Sequence, residues 1–145
     1  MNEQNVLSMF LRIVTEYDYL DYSEEELMED FTETLSMALL EVQMQGIMED
    51  CIYDVDEGFV EPLSMQQAYI LAYASVVIWV TPKVNSAEML AAQLTSTDFT
   101  QFSNANRLNA CLKLYTACEA KLNNLISDFD KAFLIAEIKE ELSDK

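Results

Sequence analysis

The scarcity of turn-forming residues is the feature that most constrains how this chain can fold. Only two glycines and two prolines occur among its 145 residues, and they are Gly46, Gly58, Pro62 and Pro82. An all-β domain needs turn residues at intervals of about 8–12 positions, so this composition argues strongly for a helical protein. Apolar residues make up 51% of the chain, which at this length is enough for one domain with a substantial core.

Hydrophobic periodicity predicts the first two helices. In the first, apolar residues recur at every fourth position from Val6 to Val14. The second begins at Ser23, which is expected to form a capping box with Glu26, and it ends near Gly46. Its apolar face comprises Leu27, Phe31, Leu35, Leu39 and Val42. Four methionines in or near this helix are interpreted as core filling rather than as an adaptable contact surface, and they are Met28, Met37, Met44 and Met48.

The third predicted helix is apolar on all sides. It begins at Ser64, where Gln67 completes a second capping box, and it is expected to stop before Pro82. A helix without a polar face must be surrounded by protein. The sequence leaves open whether the other helices of this chain enclose it or a neighbouring subunit covers part of it. A short helix over residues 86–93 is predicted to follow.

A long final helix is predicted to begin near residue 103, after a polar linker that carries Phe99 and Phe102 as aromatic anchors. The sequence permits this helix to break within residues 127–130. Residues 130–145 would then form a separate amphipathic tail, free to dock on a partner. The apolar stripe of the helix comprises Leu108, Cys111, Leu112, Tyr115, Cys118, Leu122, Leu125, Ile126, Phe129 and Phe133.

An acidic loop joins the second and third helices. It covers residues 47–62 and is predicted to contain a short hairpin around Gly58 or to stay a loop. The predicted fold is therefore all-α. It is a single-domain bundle of about five helices over residues 1–145, with a long C-terminal helix and one acidic loop or short hairpin.

Charge is divided unevenly along the chain. The first 62 residues carry 17 carboxylates and one cation, Arg12, whereas the remaining 83 carry nine carboxylates and seven cations. A concentrated acidic field repels nucleic acid and membrane surfaces, and it can also line or imitate the path of DNA. On the second helix, acidic residues lie opposite the apolar face and are predicted to form an outward stripe of Glu26, Glu29, Asp30 and Glu33.

The composition excludes most catalytic chemistry. Histidine, the commonest general base and zinc ligand, is absent from the sequence, as are a glycine-rich phosphate loop and a nucleophile elbow. The acidic run at residues 54–58 departs from a calcium loop, because counting from Asp54 glycine is fifth instead of sixth and Met65 stands in place of the twelfth-position glutamate. We therefore expect no catalytic residue, no cofactor and no metal ion, and predict that the chain is not an enzyme.

No membrane partner is expected. The longest apolar run, residues 69–80, covers twelve positions, whereas a membrane span needs ~20. The N-terminal sequence lacks the basic region of a signal peptide. The sequence predicts a soluble protein made and used in the cytoplasm, or in a particle assembled there.

A pattern of helices and linkers marks the central part of the chain. Residues 79–83 read Trp-Val-Thr-Pro-Lys at a predicted helix end, and Leu94 precedes Asp98 and Phe99. Residues 102–108, Phe-Ser-Asn-Ala-Asn-Arg-Leu, then open the long final helix. Over roughly residues 63–129 the chain resembles the small helical head–tail connector (adaptor) proteins of tailed bacteriophages.

The resemblance implies a structural virion protein located in the neck and assembled in the host cytoplasm. Such adaptors bind the portal protein under the capsid as a ring, commonly dodecameric, and extend the channel through which DNA leaves. The implied partners are the portal, neighbouring tail and neck proteins, and further copies of this chain, with DNA passing without specific binding. The acidic stripe would face this lumen or a partner. Candidate contacts with the portal or another subunit are Phe99, Phe102, Phe133, Ile135 and Ile138.

The sequence leaves two other interpretations open. One is an acidic DNA mimic that inhibits a host DNA-binding protein, such as a restriction or CRISPR nuclease, through salt-sensitive contacts. The other is an acidic helical domain whose charge serves solubility.

Overall fold

The computed structural model describes residues 1–15, 24–29, 31–93 and 98–143, without the side chains of residues 24, 26, 27, 86–93, 98–107 and 133. The predicted helical character is confirmed, because helices form most of the described chain. A two-stranded sheet lies between the helices. The elements are α1 (Glu3–Thr15), α2 (Glu24–Glu29), α3 (Phe31–Met44), β1 (Tyr53–Asp54), β2 (Gly58–Phe59), α4 (Met65–Gln93) and α5 (Asp98–Ser143).

Helix α4 lies at the centre of the packing, because α1, α3 and α5 all contact it. Its side chains at Ile70, Leu71, Val76 and Val80 are completely buried. Helices of the same chain therefore bury most of α4 over residues 68–80. Tyr69 is nevertheless exposed, and Tyr73 and Val77 on the same face are only partly buried, so this chain does not cover the helix on every side. None of the described helices is long and apolar enough to cross a bilayer.

Aromatic side chains connect three of these helices. Phe10 of α1 is completely buried, and its ring centroid lies 5.4 Å from that of Phe31 at the start of α3. The same ring meets Trp79 of α4 edge-on, with the centroids 6.0 Å apart. Val6 and Val14, one turn to either side of Phe10, are also buried, which confirms the apolar face predicted for α1.

Two predicted helix boundaries are confirmed, the first by hydrogen bonds and the second by backbone conformation. At the start of α4, Gln67 N donates to Ser64 Oγ at 3.1 Å and Ser64 N donates to Gln67 Oε1 at 2.9 Å. Helix α3 ends at Met44, and Gly46 follows with φ of 85°, a left-handed conformation that glycine adopts without strain. The Ser23–Glu26 capping box lies outside the described residues.

The prediction that the third helix stops before Pro82 is wrong, because α4 continues through it to Gln93. A proline inside a helix removes one backbone hydrogen bond, but the surrounding contacts here hold the next turn in place. Val84 is buried in the core, and the Lys83 ammonium lies 4.3 Å from the centroid of the Trp79 ring. The helix predicted over residues 86–93 is therefore the last part of α4.

The final helix also differs from the prediction at its start. α5 begins at Asp98, so Phe99 and Phe102 lie in its first two turns and not in a linker. It runs to Ser143 without the break that the sequence permits within residues 127–130. The physical reason is that no glycine or proline occurs after Pro82 to interrupt it.

Ser75 in the middle of α4 gives the first prediction. Its Oγ is buried and has no hydrogen-bond partner among the described residues. A buried hydroxyl without a partner is destabilising, and alanine has the higher helix propensity. We expect Ser75→Ala to raise the free energy of unfolding by about 1 kcal/mol, measured by urea denaturation. The control is Ser36→Ala, because Ser36 Oγ donates to Thr32 O at 3.0 Å; a loss of stability in Ser75→Ala would contradict the prediction.

Candidate functional site

The last turns of α5 form an exposed extension of the helix. After Phe129, which is half-buried, every described side chain up to Ser143 is exposed. We call residues 130–143 the extension. Large apolar side chains occur in it nevertheless, each more than half exposed, and they are Leu134, Ile135, Ile138 and Leu142.

The four exposed apolar side chains of the extension do not continue the face by which α5 packs on the body. That packing face includes Leu122 and Ile126, which are buried. At about 100° per residue, Ile135 points roughly 180° away from Ile126. The extension therefore presents its apolar side chains away from the core of its own chain. Ile135 and Ile138 were predicted as contact residues, and both are exposed here.

The predicted acidic stripe is described in part. Glu29 at the end of α2 and Glu33 in the first turn of α3 are exposed. Asp30 and the side chain of Glu26 lie outside the described residues. So do the side chains of the interface candidates Phe99, Phe102 and Phe133, whose backbone lies in α5.

The outward face of α3 also carries apolar side chains that the sequence interpretation missed. Met37, Leu40 and Met44 follow Glu33 along this face, and each is more than half exposed. The assignment of the methionines to the core is wrong for Met28, Met37 and Met44, and Met48 alone of the four is buried. The spacing of residues 37, 40 and 44 could have revealed a second apolar stripe, but the stronger stripe opposite masked it.

The acidic loop contains the hairpin that the sequence predicted. β1 and β2 pair antiparallel, with Tyr53 opposite Phe59 and Asp54 opposite Gly58. The turn is closed by the Asp54 carboxylate, whose Oδ1 accepts hydrogen bonds from Asp56 N at 2.8 Å and Glu57 N at 3.1 Å. Such a turn uses the carboxylate for backbone contacts.

Two contacts hold this loop on the helices. Tyr53 Oη donates to Glu3 Oε2 of α1 at 3.0 Å. Gln43 Nε2 of α3 donates to the carbonyl oxygens of Met48 and Cys51, at 3.2 and 2.9 Å. Burial, as the larger cause, and the hydrogen bond with Glu3 together raise the pKa of Tyr53 to about 12. The loop therefore has a defined position relative to α1 and α3.

A cleft of about 540 Å³ lies among α1, α4 and α5. Arg12 and Lys121 line it together with Tyr69 and Tyr73. Arg12 is the single cation of the first 62 residues, so this cleft is the place where the acidic half offers positive charge. The combination can accept an anionic group of a partner.

A second cleft of about 260 Å³ has the opposite character. Glu49, Asp50 and Glu61 line it around Leu63 and Phe129. Among the described residues, no three cysteine or carboxylate side chains lie close enough together to hold a metal ion. Burial raises the pKa of the Cys51 thiol in the same cleft, so this thiol stays protonated near neutral pH.

Comparison of the chain with protein-family models, curated proteins and solved structures finds no match.

The raised pKa of Tyr53 predicts a loss of stability in alkali. The pKa of this tyrosine in the unfolded chain is about 10. Because the folded protein holds the phenolic proton more tightly, the contribution of this proton to stability is fully present below that pH. This contribution is lost as pH rises from about 10 through the folded pKa of about 12. We expect Tyr53→Phe to show a shallower fall in the free energy of unfolding between about pH 10 and pH 12, measured by urea denaturation. Identical slopes for the two proteins would contradict this.

Proposed function

We propose that this chain is a non-enzymatic assembly protein, a head–tail connector subunit that joins the portal of a tailed bacteriophage. The observation that carries the proposal is the extension of α5, which presents apolar side chains away from its own core. Exposed apolar residues grouped in this way are typical of surfaces that bind another protein. Each connector subunit would be a single-domain bundle of about five helices, of which α5 is the longest.

The length of α5 suits a subunit with contacts at two ends. With 46 residues, it spans about 69 Å at the rise of an α-helix. Phe99 and Phe102 lie near its start, and Ile135 and Ile138 lie near its end. In a connector ring, one end would meet the portal and the other a neighbouring subunit or neck protein. The described part of the chain provides side chains for binding and shows no grouping suited to holding a metal ion.

The acidic half of the chain supports a position beside DNA. Glu25 and Glu29 of α2 are exposed one turn apart, and carboxylates repel the phosphates of a passing duplex. A wall of this kind would let DNA move during packaging and ejection without adhering. In this proposal the protein is a virion component assembled in the host cytoplasm, and DNA is a transient neighbour.

The outward face of α3 favours a connector over a DNA mimic. A mimic needs carboxylates repeated along a row as phosphates are, and it relies on ion release for affinity. On α3, the row that begins at Glu33 continues instead with Met37, Leu40 and Met44. Exposed apolar residues beside carboxylates are suited to a protein–protein contact with a polar rim.

The connector proposal predicts a fixed stoichiometry in virions. We expect quantitative mass spectrometry of purified particles of the phage that encodes this chain to find about one copy per portal subunit, as a closed ring on the portal requires. Capsid and tail proteins measured in the same digest provide the internal controls. Absence from particles, with the protein abundant in infected cells, would contradict the proposal and favour an inhibitor of a host protein.

A second prediction concerns the acidic surface of α2. The double substitution Glu25→Lys and Glu29→Lys should slow DNA ejection from assembled particles by at least about twofold, because lysines attract the passing phosphates. Ejection is followed by the fluorescence of a DNA-binding dye. Both side chains are exposed, so folding should be unaffected.

The matched control for this experiment is Glu49→Lys with Asp50→Lys. It makes the same change in charge on the exposed loop, away from α2. Ejection at the original rate from the α2 variant would contradict a position of this surface in the lumen. Equal slowing by both variants would also contradict it, since net charge alone would then explain the effect.

A further inference from the structure

Two exposed rows on different helices have the same spacing and opposite charge. On α3 the row is Glu33, Met37, Leu40 and Met44. On the extension of α5 it is Lys131, Ile135, Ile138 and Leu142. Both rows proceed by steps of four, three and four residues, and each starts with a charged side chain followed by three apolar ones. We call them the α3 row and the extension row.

The two rows match in exposure as well as in spacing. All six apolar side chains are more than half exposed, and Glu33 and Lys131 are both exposed. Steps of four and three residues are those of a helical seam, in which the side chains of one helix fit between those of another. The charges beside the rows are mixed, because Glu41 flanks the α3 row and both Lys139 and Glu141 flank the extension row, so the charge complementarity rests on Glu33 and Lys131.

We propose that the extension row of one copy docks on the α3 row of a second copy of this chain. With the helices parallel, Lys131 of one copy lies opposite Glu33 of the next, and the three apolar positions face each other in order. The contact joins two different surfaces, so each copy can bind one neighbour by its extension and another by α3. Interfaces of this type produce closed rings or open filaments.

The two rows of one chain are not placed to bind each other. The extension row faces away from the side of α5 that packs on the body, with Ile135 roughly 180° from Ile126. α5 is continuous to Ser143, and no glycine or proline in it offers a hinge by which the extension could fold back. A second copy is therefore the occupant that the geometry favours.

A single contact of this kind is small. Three apolar side chains on each helix bury far less than the ~1,600 Å² typical of a stable complex. The contact should therefore be weak between two free copies and strong when a closed ring makes every copy use both of its rows. This inference rests on the self-assembly part of the proposed function and on no property of the portal.

The test is the self-association of the purified full chain, followed by sedimentation velocity over a series of concentrations at about 0.5 M salt, which screens the net charge of −18. We expect oligomers to form with increasing concentration. Leu40→Asp in the α3 row and Ile138→Asp in the extension row should each abolish them. Ile52→Asp is the matched control, because Ile52 is equally exposed but lies on the acidic loop. Circular dichroism confirms that each variant is folded.

Mixing the two defective variants is the decisive measurement. Ile138→Asp keeps an intact α3 row, and Leu40→Asp keeps an intact extension row. At the highest concentrations of the series, where a single weak contact is populated, together they should form a one-to-one heterodimer and nothing larger. Self-association that survives in either variant, or a mixture that stays monomeric, would overturn the inference. So would a wild-type chain that is monomeric at every concentration.

Charge exchange tests the parallel arrangement. Glu33→Lys or Lys131→Glu alone should weaken association by about two- to fivefold at about 0.15 M salt, and the double variant should restore it. An unrestored double variant would overturn the pairing of these residues. The outcomes also separate this inference from the connector proposal. If the two variants form the heterodimer but the protein is absent from virions, the contact between copies is supported and the connector proposal is rejected. If the protein is present in virions but the variants form no heterodimer, the connector proposal is supported and the contact is rejected.

Discussion

The enclosure of α4 is the constraint on which the rest of this structure depends. α4 is apolar over most of its surface, so α1, α3 and α5 each turn an apolar stripe towards it and leave only the face of Tyr69, Tyr73 and Val77 partly exposed. Phe10, Phe31 and Trp79 join three of these helices at one point of the core. Because these inward faces are committed to α4, the surfaces left for contacts with other molecules are the outward faces, the clefts between helices and the extension of α5.

The outward faces differ in charge, and the difference depends on where each element lies along the chain. α2, α3 and the loop after them carry exposed carboxylates, whereas the extension carries Lys131 and Lys139 beside four exposed carboxylates, which are Asp130, Glu137, Glu140 and Glu141. Two copies therefore repel each other through most of their surface, and in the proposed contact the electrostatic attraction is confined to Lys131 of one copy and Glu33 of the other. In this proposal, the same charge that keeps DNA from adhering also restricts the ways in which copies can associate.

Sequence periodicity predicts which residues form the inward faces of the helices, but it does not predict which residues form contact surfaces on the outward faces. The stripe through Phe31 and Leu35, the capping box at Ser64 and the hairpin at Gly58 follow from local rules, and the structure contains all three. Pro82 was misread because a local helix-breaking signal competes with packing of the next turn, which only the tertiary structure reveals. Met37 was misread for a related reason, since apolar character alone does not distinguish the core from a contact surface.

Weak contacts and strong repulsion together suggest how such a subunit could assemble at the right place. Each copy carries a net charge of −18, and at physiological salt this repulsion acts over about 8 Å. A contact of three apolar side chains per helix cannot overcome it at low concentration. A template that holds several copies side by side raises their effective concentration, so that each weak contact becomes intramolecular. The portal would provide this template in the proposed connector, and at physiological salt and low concentration ring formation would then depend on its presence.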